Sequence, residues 1–391
     1  MAQEREKRRI VIASVLKPVD DTRMFEKMGH SLAQKDQYEV TLIGFAPARP
    51  PSSGKIRLIS LGQFPRLSFM RLWTPWRIFR QALDIRPDIF IFSTYELILP
   101  ALVMKVILNT RIIYDVRENY YRNILHSEGL PRFSRLPMAL LVRLAEKLTA
   151  PAIDHFLLAE AGYEKEFKFH RGGWTVLENK AKSIASLPVR RGAEAGRQPA
   201  RPQQSGGGLP VISGGLQLLF SGTLSESTGV FRAIHLARVL HAANPQVRLT
   251  IAGYAATQHV QERLKQETAD TSFIQCEGID KLVPHTRILE LINSSDAGVI
   301  AYLKVPHTEN TVPTKLYEYL QASLPIITEK HWHWIDRFAK HHPFIFCDFE
   351  QPSPDDLFNQ LTRGPFYTTP INDAGWESEE PKLLAVIKNI A

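Results

Sequence analysis

Two cysteines in 391 residues, Cys276 and Cys347, are too few for a disulfide framework, and neither stands in metal-ligand spacing. A reducing compartment is expected. No run approaches the roughly 20 apolar residues that a membrane span requires. The start, Met1–Arg9, is charged and leads straight into a strand-like segment, so no signal peptide is expected and a cytoplasmic setting follows. No acidic pair of the Asp-x-Asp kind occurs, so no metal is implied. Neither G-x-G-x-x-G nor G-K-S/T is present, which removes the dinucleotide fingerprint and the P-loop. There is no repeat of fixed period and no recognisable nucleic-acid-binding motif.

What is present describes a folded α/β protein. Hydrophobic residues at 44% and charged residues at 23% give the balance of a globular chain, and the length suits two domains. Residues 189–215 are rich in Gly, Pro, Arg and Gln without apolar period, and read as a linker or mobile loop. On either side, short apolar runs alternate with amphipathic patterns, the βα signature of parallel sheets. Candidate strands are Ile10–Val15, Glu39–Phe45, Ile89–Ser93, Arg111–Val116 and His155–Ala159 before the linker. After it come Leu216–Ser221, Val247–Ala252, Phe273–Cys276, Ala297–Ala301, Pro325–Thr328 and Phe344–Cys347. Their continuous Val, Ile, Leu and Phe content fits strands covered on both faces. Two Rossmann-like, doubly wound domains follow, 1–185 and 216–375 around a linker at 186–215, with ligands expected in a cleft at the carboxyl ends of the strands.

Charge is uneven. Residues 1–215 hold 33 Lys+Arg against 20 Asp+Glu, a net of +13, and residues 216–391 hold 15 against 20, a net of −5. The basic half either faces something anionic or is a solvated surface.

Two segments of the second half could carry chemistry. In LQLLFSGTLSESTGVFRAIHLARVL a strand ends at Ser221, a loop carries Gly222 and Gly229, and a helix follows. Such a loop and helix start suit a diphosphate, although strand, glycine loop and helix recur in any α/β domain. In HTENTVPTKLYEYLQASLPII, residues 307–327, Pro313 suits a first helical turn and Thr314–Ala322 continue the helix. Leu316 and Leu320 should face the core. Lys315 and Glu318, at i and i+3, share another face, where they are either a surface ion pair or an ammonium for phosphate and a carboxylate for ribose hydroxyls.

The second segment resembles the signature of retaining GT-B nucleotide-sugar glycosyltransferases, K-L-x-E-Y followed by G-x-P and two branched residues, over Pro313–Ile327. The resemblance implies that Glu318 binds the donor ribose, and it places at Asn310, with Glu309 beside it, the acidic residue that usually contacts the donor sugar. Ser323 stands where the family favours Gly. Further matches extend the resemblance over nearly the whole chain. Asp21 and Arg23 form a D-x-R after the first strand, on the acceptor side. IIYDVRENYY resembles the family's D-x-H-E and gives Asp115, Arg117 and Glu118, with Arg117 replacing the histidine. Many relatives carry Arg after the first loop glycine and Lys before the second, both on the diphosphate; Thr223 and Thr228 occupy those positions. The leaving-group charge would then rest on backbone N–H groups, Lys315 and either Arg117 or Arg23. The resemblance further implies a terminal helix, 376–391, returning to the first domain.

Two other stretches combine basic and apolar residues: 64–83, with Arg66, Arg71, Arg77 and Arg80, and 133–149. Each alone reads as a core-facing helix, the first from Thr74 with Trp76, Phe79 and Leu83 inward, and each could instead lie on an anionic membrane. The histidines of HWHW at 331–334, with His341 and His342, read as helix-end surface residues and not as metal ligands. The expected protein is a retaining glycosyltransferase of the hexosyltransferase type without cofactor. It takes a nucleotide-sugar donor, a glycan or lipid-linked acceptor and no nucleic acid, in cell-surface polysaccharide or glycolipid synthesis at the inner face of a membrane. Arg117, Glu118, Asp115 and Glu309 are its candidate catalytic residues, and Gly222, Thr223, Thr228, Gly229, Asn310, Lys315 and Glu318 hold the donor. The alternatives are a weak or inactive relative that binds nucleotide sugar or glycan, and a basic nucleic-acid-binding protein.

Overall fold

Each half of the chain builds a sheet in which every strand is parallel to its neighbours. The computed structural model describes residues 7–46, 54–62, 68–127, 130–169, 173–182, 215–255, 257–306, 308–369 and 371–390. Arg66, His307 and the expected linker at 186–215, except Gly215, lie outside them. The chain divides into two units, Met1–Lys182 with Trp376–Ala391, and Ser183–Gly375.

In unit 1 the strands are β1 (Arg8–Pro18), β2 (Tyr38–Phe45), β3 (Ile56–Ser60), β4 (Ile89–Phe92), β5 (Arg111–Val116), β6 (His155–Leu158) and β7 (Gly173–Val176). Their order is β3-β2-β1-β4-β5-β6-β7. Successive side chains point to opposite faces, so one strand feeds two cores. Val11, Ala13, Phe90, Phe92 and Tyr114 pack on one face with Ile78 of helix α2 (Met70–Ile85) and Ala101 of α3 (Ile98–Leu108). Ile10, Ile12, Ile89 and Ile91 pack on the other, against Met24 and Met28 of a π-helix, Thr22–Gly29, that continues into α1 (His30–Ala33). α4 (Tyr120–Leu125) and α5 (Arg132–Thr149) lie between β5 and β6. The C-terminal segment belongs to the second face: the Trp376 indole donates to Ser31 Oγ at 2.8 Å, and Leu383 and Ile387 complete that core.

Unit 2 holds β8 (Leu216–Leu224), α6 (Val230–Ala243), β9 (Val247–Ala255), α7 (Gln258–Thr268), β10 (Ile274–Ile279), α8 (His285–Ser294) and β11 (Ala297–Val299). It continues with α9 (Thr314–Gln321), β12 (Ile326–Thr328), α10 (Ile335–Phe338), β13 (Phe344–Phe346) and α11 (Pro354–Arg363); α12 (Glu380–Ile390) returns to unit 1. The order β10-β9-β8-β11-β12-β13 reverses between β8 and β11, as unit 1 reverses between β1 and β4. Ligands of such sheets bind where the order reverses, at the carboxyl ends of the strands. The doubly wound architecture expected from the βα alternation is therefore the one found.

Local differences have physical causes. β3 and β7 lie outside the candidate strands because IRLIS and GWTV interleave Arg, Ser, Gly and Thr with their apolar residues and show no continuous apolar run. α2 starts at Met70, four residues before Thr74; Phe79 and Leu83 pack against the core beside the buried Ile78 and Ala82, whereas Trp76 is 40% exposed. Pro313 precedes α9 in extended conformation and is not in its first turn. Ser323 closes α9 in the left-handed region, φ 51°, which explains the preference for glycine at that position. Among the described residues, no helix is long and apolar enough to cross a membrane. Nor could any group of three or more His, Cys, Asp or Glu among them hold a metal ion.

Candidate functional site

At the reversal point of unit 2, glycines bring backbone against backbone. β8 runs past Ser221, where the sequence placed its end, to Leu224; Gly222 within it has φ 100°, and the turn that follows closes at Gly229, φ 80°. A Cβ on Gly229 would sit 1.8 Å from the Ala301 carbonyl oxygen, and one on Gly253 equally close to the Gly222 carbonyl oxygen. Only glycine permits these approaches. Hydroxyls tie the turn between: Ser225 N–H donates to Thr228 Oγ1 at 3.0 Å, and that hydroxyl donates to the Thr223 carbonyl at 2.9 Å. The Thr228 side chain is thus committed to loop geometry, while Gly222 and Thr223 are exposed. α6 starts at Val230 without an acidic residue in its first turn and without a side-chain cap, and the Val230 N–H reaches back to the Ser225 carbonyl at 3.4 Å. Arg232 is held by Glu329 at 2.9 Å and Glu350 at 3.1 Å and is no loop cation.

α9 delivers the charges. Tyr319 reaches back to Ser221 in β8, OH to Oγ 2.9 Å, and its ring occupies the space a side chain at Gly298 would fill. This contact lays Lys315, one turn earlier, along β8. Its Nζ lies 3.8 Å from the centre of the Phe220 ring and 5.5 Å from that of Tyr302, and the space beside Gly222 is 3.9 Å from it. Lys315 is only 5% exposed, and its ammonium has no hydrogen-bond partner among the described residues. Burial pulls it down to about 7, against the opposing field of Glu318. A surface Lys–Glu pair is excluded. Glu318 is partly buried and meets His285, the first residue of α8, Oε1 to Nε2 3.2 Å. Nothing in the sequence links His285 to a residue 33 positions later. Glu309 and Asn310 are exposed on a loop fixed by the Thr308 hydroxyl, to which Val305 N–H donates at 3.1 Å.

The unit 1 candidates gather at the carboxyl ends of β1 and β5, but not as an open site. The Arg23 guanidinium grips both Asp115 oxygens, Nη2 to Oδ1 2.6 Å and Nε to Oδ2 3.0 Å, and donates to the Leu177 carbonyl at 2.9 Å. Both side chains are fully buried. Arg23 and Asp115 therefore offer no exposed side-chain atom for the acceptor-side and catalytic roles expected of them. They join the π-helix to β5. Arg117 in turn faces Asp21, Nη1 to Oδ1 2.7 Å and Nη2 to Oδ2 3.0 Å, with about a tenth of each side chain exposed. Asp21 caps the π-helix by accepting from the Arg23 and Met24 N–H groups at 3.1 Å. Burial alone would raise its pKa, but Arg117 outweighs burial and holds the carboxyl well below the usual carboxylate range. Glu118, a third exposed, meets Lys17 at 3.5 Å and accepts from Asn123 at 3.0 Å.

No family model matches the chain, and no curated protein is similar to it in sequence. Solved structures match along its whole length. Sucrose-phosphate synthase from Thermosynechococcus elongatus is 12% identical at a TM-score of 0.63, over 98% of this chain and 99% of that one. A UDP-forming α,α-trehalose-phosphate synthase from Burkholderia xenovorans gives the same identity, TM-score and coverages. Anabaena HepE in complex with UDP and glucose is 11% identical at 0.62, over 98% of this chain and 100% of that one. At such identity the likeness is one of fold: the chain has the architecture of GT-B glycosyltransferases.

Proposed function

We propose that the chain is a retaining glycosyltransferase whose unit 2 takes a nucleoside diphosphate sugar and whose unit 1 receives the acceptor hydroxyl. The observation that carries this reading is Lys315. A buried ammonium with no hydrogen-bond partner among the described residues is costly unless an anion completes it, and this one lies beside Gly222, on the strand that leads into the turn before α6. A diphosphate fits that position. Glu318, one turn along α9 and steadied by His285, then accepts from the ribose hydroxyls. Glu309 and Asn310 lie on the loop leading into the same helix, within the segment that resembles the family's donor signature. Stabilising the departing diphosphate is the main catalytic contribution, shared by Lys315 and backbone N–H groups.

UDP in the HepE complexes and glucose 6-phosphate in a trehalose-phosphate synthase complex support a UDP-sugar donor and a sugar acceptor. On unit 1 the side chains left to meet an acceptor are Glu118 and the accessible edge of the Asp21–Arg117 pair. The wider setting we propose is cell-surface polysaccharide or glycolipid synthesis at the inner face of a membrane.

Calorimetric titration with UDP-, GDP- and ADP-sugars tests the donor. Glu318→Gln should weaken the preferred nucleotide by about 1.5–3 kcal/mol, roughly ten- to a hundredfold. Unchanged affinity in a folded variant would mean that the donor lies elsewhere. A second reading, binding without transfer, is favoured by the commitment of the Thr228 hydroxyl to its own loop and of Arg117 to Asp21. Release of labelled sugar to water or acceptor separates the two.

A further inference from the structure

The connections β3 to β4, β4 to β5 and β5 to β6 all run the same way across the unit 1 sheet, so right-handed crossovers place α2, α3 and α5 on one side of it. The packing agrees. Ile78 and Ala82 of α2 and Ala101 and Met104 of α3 share a core with β4 and β5. α5 is tied to the same face where Tyr114 OH donates to Glu146 at 3.0 Å, and Lys105 of α3 donates to the Ala152 carbonyl just beyond α5 at 2.7 Å.

The outward sides of these three helices are apolar. Leu72 and Trp73 of α2 are 70% and 64% exposed, Val106 and Ile107 of α3 85% and 61%, and Phe133 and Leu141 of α5 84% and 70%. Spacing makes stripes of them: Trp73, Trp76 and Arg80 follow at three and four residues on α2, as do Leu140, Leu144 and Lys147 on α5. An apolar face this extensive needs a partner.

Charge selects which. The three helices carry eight Lys or Arg and two acids, Asp84 and Glu146, and Glu146 is fully buried. Arg80, Arg132 and Lys147 are exposed among the apolar residues without an acidic partner among the described residues. A second copy docked face to face would set cations against cations. Lys and Arg around Trp, Phe and Leu on helices lying flat is instead the chemistry of an anionic lipid surface.

We propose that the outer face of α2, α3 and α5 is a membrane-docking surface that seats unit 1 on an anionic bilayer. This deepens the membrane-side setting proposed above by naming the surface. Docking is measured without nucleotide, so that its failure leaves the donor site standing.

The full chain is sedimented with phosphatidylcholine vesicles that contain about one-third phosphatidylglycerol or none. It should bind the anionic vesicles, be released by high salt, and bind neutral ones weakly. The triple variant R80Q/R132Q/K147Q should bind about fivefold more weakly per cation removed, near a hundredfold in all. The variant W73S/F133S/L141S changes only exposed side chains, should melt as wild type does, and should also lose vesicle binding. Equal binding to both vesicle types, or none to either, would overturn the proposal. So would a concentration-dependent oligomer that W73S/F133S/L141S dissociates while vesicles bind neither protein, which would make the face an interface between copies.

Discussion

Lys315→Met separates the cost of the buried ammonium from its use. The folded chain holds this amine at about 7, whereas a solvated lysine titrates near 10.4. Below about pH 7 the ammonium is charged in both states, and the folded state bears the full cost of burying it. Between about 7 and 10.4 the unfolded state binds more protons, so stability rises with pH and the penalty has faded by about pH 10.4. A gap of about 3 units at 1.36 kcal/mol each sets the penalty near 4 kcal/mol, and local relaxation brings the expected figure to about 2–4 kcal/mol. Methionine keeps the length and the contact with Phe220 but carries no charge. Urea unfolding at pH 7 should therefore show the variant more stable than wild type by about that amount, with the difference nearly gone at pH 10. The same variant should lose roughly ten- to a hundredfold in nucleotide affinity. Diphosphate binding to wild type should take up a proton between pH 7 and 8, visible as a buffer-dependent calorimetric enthalpy. A less stable Lys315→Met protein with unchanged nucleotide affinity would refute both halves of the reasoning.

Gly229→Ala forces a Cβ against the Ala301 carbonyl at a positive φ and should cost about 2–4 kcal/mol, read by thermal melting, with loss of nucleotide binding. Arg23→Met strands the buried Asp115 carboxylate and should cost about 3–5 kcal/mol in denaturant unfolding; a loss under about 1 kcal/mol would mean that water reaches Asp115. His285→Ala frees Glu318 from its positioning contact and should lower nucleotide affinity about two- to tenfold while the melting temperature stays near wild type.

The sequence carried the fold because parallel strands covered on both sides must be apolar throughout. Runs such as Ile89–Ser93 and Arg111–Val116 survive almost unaltered as β4 and β5. Edge strands are free of that constraint: β13 keeps an apolar run nonetheless, whereas IRLIS and GWTV do not. Helix facing was less legible still. Periodicity shows that a helix has an apolar stripe but not whether the stripe meets core or solvent, and α3, apolar on nearly every side, shows no stripe at all. Only the crossover direction reveals that the extra apolar residues of α2, α3 and α5 lie together.

The candidate site shows the same boundary between type and environment. Lys315 and Glu318 stood out because a helix puts i and i+3 on one surface, and α9 does so. Their surroundings come from distant chain: Phe220 from β8, and His285 from the start of α8. In unit 1 the motif residues were visible, but their meaning depends on who pairs with whom. Arg23 and Asp115 are 92 positions apart and Asp21 and Arg117 are 96 apart. Once joined, one pair is sealed and the other keeps an edge in reach of solvent. An arginine beside an aspartate marks a reactive site only where the fold leaves the charge uncompensated. In this chain that condition is met by Lys315, whose ammonium has no hydrogen-bond partner among the described residues.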